Sequence, residues 1–489
     1  MTFAGPSYFL LLLCTALVYW LTPRKMAAKA RSAILLIASL LFCAMLDVCS
    51  LVWVLATVLF SYFMALAIAA AVQKKRMPMA HLLLTISLVV LFGTLFGMKY
   101  IPFALRTLQT AISWLGGNWM SPTVSIVMAI GISFYIFQVT GYLVDVCKGK
   151  SRPVSNFVEY ALAVTFFAKF TQGPIDPVAH LTEQFREFKK FNAFEFRSGL
   201  CLILIGLFKK MVIADRLAVA ANAVFNGYAD CSSLTVVIGA VFYAFQLYAD
   251  FSGYTDIAIG SARLFGFHLV PNFRQPYLAT SIGDFWHRWH ISLSTWLKDY
   301  LYIPLGGSRV SKLRWAMNVL IVFFVSGLWH GANSTFVAWG LIHGGWQVVE
   351  KFSAGVRTSI KNRLMGADSW LNKACTVFCT FTVVVAAWVF FRAPTLADGV
   401  GMMKRIGACD WTFNLVQLGI TTQEWYFSLA MLALMGAVDL VNEHISLVDL
   451  IERQFFMVRW GVYLLLIFIT ILFGMYGSLS AESFIYVSF

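Results

Sequence analysis

The sequence predicts an all-α polytopic membrane protein. Of its 489 residues, 60% are hydrophobic and only 12% are charged, whereas a typical soluble domain has about 25% charged residues. Apolar runs long enough to cross a bilayer recur along the whole chain, and about eleven of them are predicted to be transmembrane helices. Clusters of lysine and arginine alternate with poorly charged connections between these runs, which is the pattern of a multi-pass protein.

The predicted membrane spans follow the apolar runs in chain order. One long apolar stretch, 315–349, is divided near its middle by His330, Gly331 and Asn333, so two helices are expected to meet there. The full set is 6–22, 33–46, 50–72, 80–98, 122–146, 234–247, the two halves of 315–349, 374–391, 425–441 and 457–476.

The basic clusters predict the orientation of the chain in the membrane. They fall at 24–31, 74–76 and 148–152, and the excess of Lys and Arg in cytoplasmic loops places these segments in the cytoplasm. The N-terminus and the C-terminal aromatic tail, 478–489, are then both expected outside the cytoplasm. The same loops account for the net charge of +14, so no nucleic-acid partner is predicted.

The regular pattern is interrupted between residues 156 and 216. The apolar segments 157–171 and 199–208 are short for a span, which needs about 20 residues, so re-entrant elements are expected there. Between them, 181–197 has the mixture of basic and phenylalanine residues typical of an amphipathic surface segment. Lys209 and Lys210 are interpreted as belonging to another basic surface segment. Farther on, a polar loop is predicted from Arg392 to Glu424.

Polar residues are concentrated in segment 250–331, the predicted active-site core. A charged side chain at the middle of a bilayer costs on the order of 2.5–3.5 kcal/mol on insertion scales. Asp284, Arg288, Lys298 and Asp299 therefore cannot all face lipid, and they must face a wet cavity, one another or the membrane surface. The apolar residues of 283–302 recur at helical spacing, which predicts one amphipathic helix across this segment.

His330 is the first candidate for chemistry. An imidazole titrates near neutral pH, so a buried histidine with access to water can take a proton from a hydroxyl and return it to a leaving group. Trp329 precedes it, and the glycines at 327 and 331 would allow a substrate to approach closely. A hydrogen-bonded packing histidine is the alternative interpretation.

His290 is the second candidate. His287 and His290 are three residues apart on the predicted helix and could share a face. Without a third ligand of suitable geometry this pair is a weak zinc signal, so an orienting or acid–base role for His290 is preferred and no metal site is predicted. The nine cysteines are scattered without a metal-ligand or disulfide pattern.

Motifs in this core and elsewhere in the chain resemble those of the membrane-bound O-acyltransferase family, and most closely its bacterial alginate O-acetyltransferase branch. The matching runs, which cover most of the chain in order, are DFSGY at 250–254, FWHRWHISLSTWLKDY at 285–300, YIPLGG at 302–307, LWHG at 328–331, WVFFR at 388–392 and FIYVSF at 484–489, with a Gly-Pro-Ile turn at 173–175.

The resemblance implies roles for individual residues. His330 corresponds to the family's catalytic histidine, His290 to its second polar position in the active site, and Tyr486 to a tyrosine thought to carry the acyl group transiently. An aromatic anchor at the membrane interface is the alternative for Tyr486. Six further residues are expected to support the site: Asp284, Arg288, Trp296, Asp299, Tyr300 and Trp329.

The resemblance also implies the architecture. Residues 1–489 are expected to form a single integral-membrane acyltransferase domain, whose re-entrant and amphipathic helices surround a central tunnel from the cytoplasm and a funnel from the outer face. The enzyme is expected in the bacterial inner membrane, with both termini periplasmic and membrane lipid around it.

The function implied is movement of acetyl groups from a cytoplasmic donor, acetyl-CoA, across the membrane for O-acetylation of an alginate- or cellulose-like exopolysaccharide. No tightly bound cofactor is expected. The implied partners are a periplasmic polysaccharide acetyltransferase and an exopolysaccharide biosynthesis complex. D-alanyl transfer to teichoic acid is the alternative within the same class. A transporter or flippase with His330 as a proton-coupling residue is the alternative from another class, although the chain has no internal repeat of the kind common in transporters.

Overall fold

Helices are the regular structure of the residues that the structure describes. The computed structural model describes residues 5–23, 27–118, 129–366 and 369–476, and no β-strand occurs in these ranges. The prediction of an all-α protein is therefore confirmed for this part of the chain.

Eight of the described helices are long and apolar enough to cross a membrane. They are Lys29–Leu46, Val48–Gln73, Met77–Lys99, Ser233–Arg263, Lys312–His330, Trp370–Arg392, Thr422–Asn442 and Phe456–Phe473. Two shorter apolar helices, Pro6–Leu21 and Ile132–Cys147, correspond to predicted spans as well. These helices confirm a polytopic membrane protein, while the count of about eleven spans stays a prediction.

The chain divides into two compact units. Unit 1 consists of Met1–Ile203 with Ile257–Val270, and unit 2 of Leu204–Asp256 with Pro271–Phe489. The first nine helices are α1 (Pro6–Leu21), α2 (Ala27–Leu46), α3 (Val48–Gln73), α4 (Met77–Lys99), α5 (Ile101–Trp114), α6 (Ile132–Cys147), α7 (Phe157–Thr165), α8 (Val178–Arg186) and α9 (Ala193–Phe208).

Unit 1 is built around α3, which packs against α4 and α6. Asp47 caps the beginning of α3, because its carboxylate accepts a hydrogen bond of 2.8 Å from the backbone N–H of Ser50. Inside the unit, the hydroxyl of Tyr160 on α7 donates to the hydroxyl of Ser61 on α3 at 2.6 Å. Polar side chains of these apolar helices thus find their partners within the bundle.

The predicted irregular segment after residue 156 is confirmed in part. The apolar run 157–171 is helical only as far as Thr165, and a non-helical turn follows it. Buried Lys169 donates to the side-chain carbonyl of Gln138 at 3.0 Å, and the Gln138 amide donates to the Asp176 carbonyl oxygen at 2.7 Å. Gly173 is required in this turn, because a Cβ atom there would lie 2.4 Å from Cα of Lys169. Protein groups therefore satisfy the irregular backbone, as its burial requires.

The remaining helices are α10 (Asp215–Gly227), α11 (Ser233–Arg263), α12 (Ile282–Arg288), α13 (Ile291–Leu297), α14 (Lys312–His330), α15 (Ser334–Met365), α16 (Trp370–Arg392), α17 (Leu396–Gly407), α18 (Thr422–Asn442), α19 (Leu447–Glu452) and α20 (Phe456–Phe473). Two π-helical segments, Lys209–Ala214 and Lys298–Tyr302, interrupt the α-helical geometry. Unit 2 contains a large apolar core to which α11, α14, α15 and α16 contribute.

The prediction of one amphipathic helix over 283–302 is wrong. The segment forms α12, then α13, then the π-helical segment 298–302. His290 lies at the junction of α12 and α13 in the left-handed region, with φ of +43°, where a non-glycine residue cannot continue a right-handed helix. Helical spacing of the tryptophans predicted the direction of the side chains but gave no sign of this break.

Lys210 does not lie in a basic surface segment, and that interpretation is corrected. Its side chain is 7% exposed and pairs with Asp215 at 2.8 Å and with Asp250 at 2.7 Å. Neighbouring Lys209 pairs with Asp256 at 2.7 Å. A buried charge needs such partners, and the partners from α11 lie far along the sequence, where no local pattern could reveal them.

The predicted polar loop from Arg392 to Glu424 contains regular structure. It includes α17 and a short 3₁₀ turn, Leu415–Leu418. The side chain of Thr395 caps α17 by accepting from the backbone N–H of Asp398 at 3.2 Å. The polar composition of the segment obscured an amphipathic helix with one buried face.

Candidate active site

The hairpin of α14 and α15 positions His330, because the two helices touch backbone to backbone. A Cβ atom on Gly327 would lie 2.4 Å from the carbonyl oxygen of Phe336, and one on Gly340 would lie 2.3 Å from that of Phe323. Small residues at such contacts let membrane helices approach closely. The predicted division of the apolar stretch 315–349 into two helices is thus confirmed, and His330 is the last residue of the first helix.

His330 is buried in an aromatic environment, with 2% of its surface exposed. Its ring packs edge-on against Trp339 and Phe391, with centroid distances of 4.9 and 5.2 Å. The indole of Trp329 lies 4.8 Å away, also edge-on. Three large rings therefore fix the imidazole and exclude bulk water from its faces.

His290 is completely buried and lies close to the same tryptophan. Its ring centroid is 5.8 Å from that of Trp329 and 4.8 Å from that of Phe251 on α11. Its Nδ1 atom lies 3.1 Å from Oδ1 of Asn272. Burial lowers the pKa of His290 to about 3, so the ring is neutral at physiological pH. The structure therefore brings His290, Trp329 and His330 together.

A cavity of about 290 Å³ lies between α12, α13, α14 and α15, and its lining does not include His290, Trp329 or His330. Its lining is mostly apolar and includes Trp286 and Phe323, with polar groups from His287, Lys298 and Gln347. Ser326 also lines it, and Ser326 precedes His330 by one helical turn on the same face of α14. The volume is near the lower end of the range for small-molecule pockets.

Asp284 and Arg288 form a network of ion pairs with Glu443, the residue that follows α18. Arg288 donates to the Asp284 carboxylate at 2.9 Å and to both carboxylate oxygens of Glu443 at 2.7 and 3.0 Å. The hydrogen bond from Arg288 is the main cause that holds the pKa of the Glu443 carboxyl below its usual value. Within the described ranges, neither Asp284 nor Arg288 forms a hydrogen bond or ion pair with His290 or His330.

The other predicted supporting residues lie along α13 and the π-helical segment after it. Trp296 packs against Tyr300, with ring centroids 5.2 Å apart. Nζ of Lys298 lies 3.7 Å from the Asp299 carboxylate, and the two side chains are 55% and 39% exposed. Trp329, as described above, contacts both histidines. Tyr486 lies outside the described residues. In the part of the chain with described structure, no three His, Cys, Asp or Glu side chains come together as metal ligands.

Sequence reasoning missed three residues near the site. Asn272 contacts His290, Glu443 pairs with Arg288, and His343 of α15 is completely buried among aromatic rings. The ring of His343 stacks on Phe285 at 5.8 Å, and no described residue forms a hydrogen bond with either of its nitrogens. Local spacing held no signal for Asn272 or Glu443, but an imidazole inside an apolar helix could have drawn attention to His343.

Comparison with known proteins identifies the family of this chain. The model of the membrane-bound O-acyltransferase family matches residues 35–397. The chain is 37% identical over 398 residues to the probable alginate O-acetylase AlgI of Azotobacter vinelandii, covering 81% of this chain and 76% of that protein. It is 35% identical over 399 residues to the peptidoglycan O-acetyltransferase of Helicobacter pylori, covering 76% of this chain and 72% of that protein.

A more distant relative is the teichoic acid D-alanyltransferase of Streptococcus thermophilus. The identity is 27% over 301 residues, which covers 55% of this chain and 69% of that protein. The chain belongs to the membrane-bound O-acyltransferase family. It is therefore an acyltransferase with several membrane-spanning helices, and the resemblance seen in the sequence motifs is confirmed.

Proposed function

We propose that this enzyme moves acetyl groups from cytoplasmic acetyl-CoA across the bacterial inner membrane for O-acetylation of a polysaccharide outside. The observation that carries the proposal is the grouping of buried His330, Trp329 and His290 at the end of a membrane helix. The names of the AlgI and peptidoglycan O-acetyltransferase relatives support acetyl as the acyl group and a polysaccharide as the final acceptor. An alginate- or cellulose-like exopolysaccharide is the proposed acceptor.

His330 is proposed to act as the general base. Its ring takes the proton of the attacking hydroxyl, the hydroxyl oxygen forms a bond with the acetyl carbonyl carbon, and the carbon–sulfur bond of the thioester breaks. The proton then passes from the ring to the departing thiolate, so that CoA leaves as a thiol and the ring is neutral again. General acid–base catalysis of this kind contributes roughly 10²–10⁴ in rate.

We propose that the cavity between α12, α13, α14 and α15 is the route of the donor toward His330, which lies one helical turn beyond the lining residue Ser326. Its size of about 290 Å³ suits the thin thioester arm of CoA better than the whole cofactor, whose nucleotide would stay outside. Lys298 in its lining is suited to the negative charge of a phosphate group. We propose that this cavity receives the arm, and that His290 orients the donor or the acceptor.

The remaining features of the proposal concern location and partners. Both termini are proposed to be periplasmic, and a periplasmic polysaccharide acetyltransferase within an exopolysaccharide biosynthesis complex would complete the transfer. Reporter fusions that discriminate periplasm from cytoplasm, placed after residue 477, test the orientation. A cytoplasmic signal there would contradict it.

The direct test uses the purified full-length enzyme in lipid nanodiscs with acetyl-CoA labelled in the acetyl group. We expect release of the CoA thiol together with labelled ester on an alginate- or cellulose-type oligosaccharide, supplied with a periplasmic acetyltransferase. His330→Ala should reduce both by roughly 10²–10⁴, whereas His444→Ala, a change in an exposed residue, should not. Parent-like transfer by His330→Ala would assign His330 a packing role.

The same preparation distinguishes the alternatives. Transfer from a D-alanyl carrier protein, without transfer from acetyl-CoA, would favour teichoic acid modification. Proton flux that depends on the substrate, without a new covalent bond, would favour a transporter. The higher identity to the two O-acetyl-transferring relatives is the reason that acetyl transfer is preferred.

A further inference from the structure

Asn272 occupies a central position at the junction between α12 and α13. Its side chain is buried, with 1% of the residue exposed. Its Oδ1 atom lies 3.1 Å from Nδ1 of His290, 2.9 Å from the hydroxyl of Ser292 and 3.3 Å from the backbone N of Ser292. One amide oxygen therefore meets three groups from the junction.

These contacts determine which amide atom faces the histidine. The backbone N–H of Ser292 can only donate, so the Asn272 atom in front of it must be the carbonyl oxygen. Rotating the amide by about 180° would place its NH₂ group opposite that N–H, so that two donors would face each other. The oxygen assignment thus follows from the hydrogen-bond network.

The oxygen of Asn272 in turn determines where His290 carries its proton. An amide oxygen is only an acceptor, so Nδ1 of His290 must be the donor of the hydrogen bond between them. The ring is neutral because it is completely buried. A neutral imidazole has one protonated and one unprotonated nitrogen, so Nε2 is the acceptor nitrogen.

The backbone of Asn272 fixes the same junction. Its carbonyl oxygen accepts from the N–H of Ile291 at 2.9 Å, next to the left-handed φ of +43° at His290. Two residues on, the N–H of Arg274 donates to the carbonyl oxygen of Arg288 at 2.9 Å. Backbone and side chain of this segment together hold His290 in one orientation, which a left-handed residue in the middle of helical structure requires.

We propose that Asn272 is a positioning residue of the acyl-transfer site, which holds neutral His290 with its proton on Nδ1 and its lone pair on Nε2. This proposal rests on the proposed function of the site. It defines what His290 does there: its Nε2 accepts a hydrogen bond from a hydroxyl or amide N–H of a substrate. Nε2 of His290 does not donate to the oxyanion that forms on the acetyl carbonyl.

The test measures the tautomer directly. The full-length protein, labelled with ¹⁵N in the histidine rings and reconstituted in lipid, gives nitrogen signals that distinguish a proton on Nδ1 from one on Nε2. The His290 signals are assigned by their loss in His290→Gln. We expect the Nδ1–H tautomer, and a proton on Nε2 of His290 would overturn the proposal.

Variants of Asn272 test whether this residue determines the tautomer of His290. Asn272→Leu should remove the preference for the Nδ1–H tautomer and lower acetyl transfer by on the order of 10²-fold, the cost of a misplaced catalytic group. The matched control is Asn318→Leu, which removes another buried asparagine of unit 2 that donates to Leu305 and Gly307. An Nδ1–H signal that persists unchanged in Asn272→Leu would assign the tautomer to another cause and contradict the proposal.

The pH profile separates positioning from folding. In Asn272→Asp a carboxylate replaces the amide beside Nδ1, which raises the pKa of His290. Activity should then be lost near neutral pH and return as the pH rises and the ring becomes neutral, a shift that a merely structural defect would not cause. If the tautomer is as expected but acetyl-CoA is not consumed by the parent enzyme, the proposed function fails and the assignment of Asn272 stands.

Discussion

Gly327 of α14 lies against the backbone of Phe336 on α15, so closely that an added Cβ atom would be 2.4 Å from the Phe336 carbonyl oxygen. This contact sets the spacing of the two helices, one turn before His330 completes α14. The position of the proposed catalytic base therefore depends on the absence of a side chain at residue 327.

We predict that Gly327→Ala destabilises the protein by about 1–3 kcal/mol, the usual cost of overpacking, and lowers acetyl transfer by displacing His330. The measurement is the thermal unfolding midpoint in detergent together with the rate of CoA release. Gly345→Ala is the matched control, because a Cβ atom there would meet no atom within 4 Å. An unchanged unfolding midpoint for Gly327→Ala would contradict this prediction, because α14 and α15 could then move apart without loss of stability.

We predict that Lys210→Met is strongly destabilising. It would leave Asp215 and Asp250, whose side chains are 8% and 2% exposed, without their shared cation, and breaking a buried pair in this way costs about 3–5 kcal/mol. Thermal unfolding and the yield of inserted protein measure the effect. Lys404→Met, the same change at an exposed position of α17, should leave both values near those of the parent, and equal behaviour of the two variants would contradict the prediction.

The pair of His180 and Asp176 predicts a dependence of stability on pH. A hydrogen bond of 2.6 Å from Nδ1 of His180 to the carboxylate of Asp176 raises the pKa of His180 above its ordinary value. The pair therefore contributes its full stability below pH of about 6.5, the pKa of an unfolded histidine, and loses it as pH rises through the raised pKa. The unfolding midpoint should fall across that range in the parent and less in His180→Gln. A fall of equal size in His180→Gln would remove the pair as its cause.

Tyr486 is predicted to carry the acetyl group on its way to the acceptor. Its phenol would lose a proton to a neighbouring base, attack the thioester carbonyl and release the CoA thiol, and the resulting aryl ester is a good acyl donor. Tyr486→Phe should then abolish transfer while keeping an aromatic ring at the interface. Mass spectrometry of the trapped enzyme should find acetyl on residue 486 in the parent.

The control for Tyr486 is Tyr476→Phe. This exposed tyrosine donates its hydroxyl to the carbonyl oxygen of Thr470 at 2.6 Å, so its loss should leave the transfer rate unchanged. Transfer at the parent rate by Tyr486→Phe would show that Tyr486 is an interfacial anchor, and that the acetyl group passes through the His330 site alone.

The sequence could predict those features that depend on local pattern. Hydropathy located the long helices, and the polar break inside 315–349 located the turn after His330. The break at His290 could not be predicted, because it depends on hydrogen bonds that Asn272, eighteen positions away, accepts, rather than on a helix-breaking residue. The burial of Lys210 was missed for the same reason, since its partner Asp250 is on another helix.

The ion pair of Lys210 and Asp250 has a consequence for the order in which the protein is assembled. Asp250 lies within α11, a candidate membrane span, and a lone carboxylate there would oppose insertion of this helix. Its countercharge is 40 residues earlier in the chain, in a segment that the ribosome has already completed when α11 emerges. Insertion of α11 together with the segment around Lys210, as a neutralised pair, would avoid the cost of placing a lone carboxylate in the bilayer.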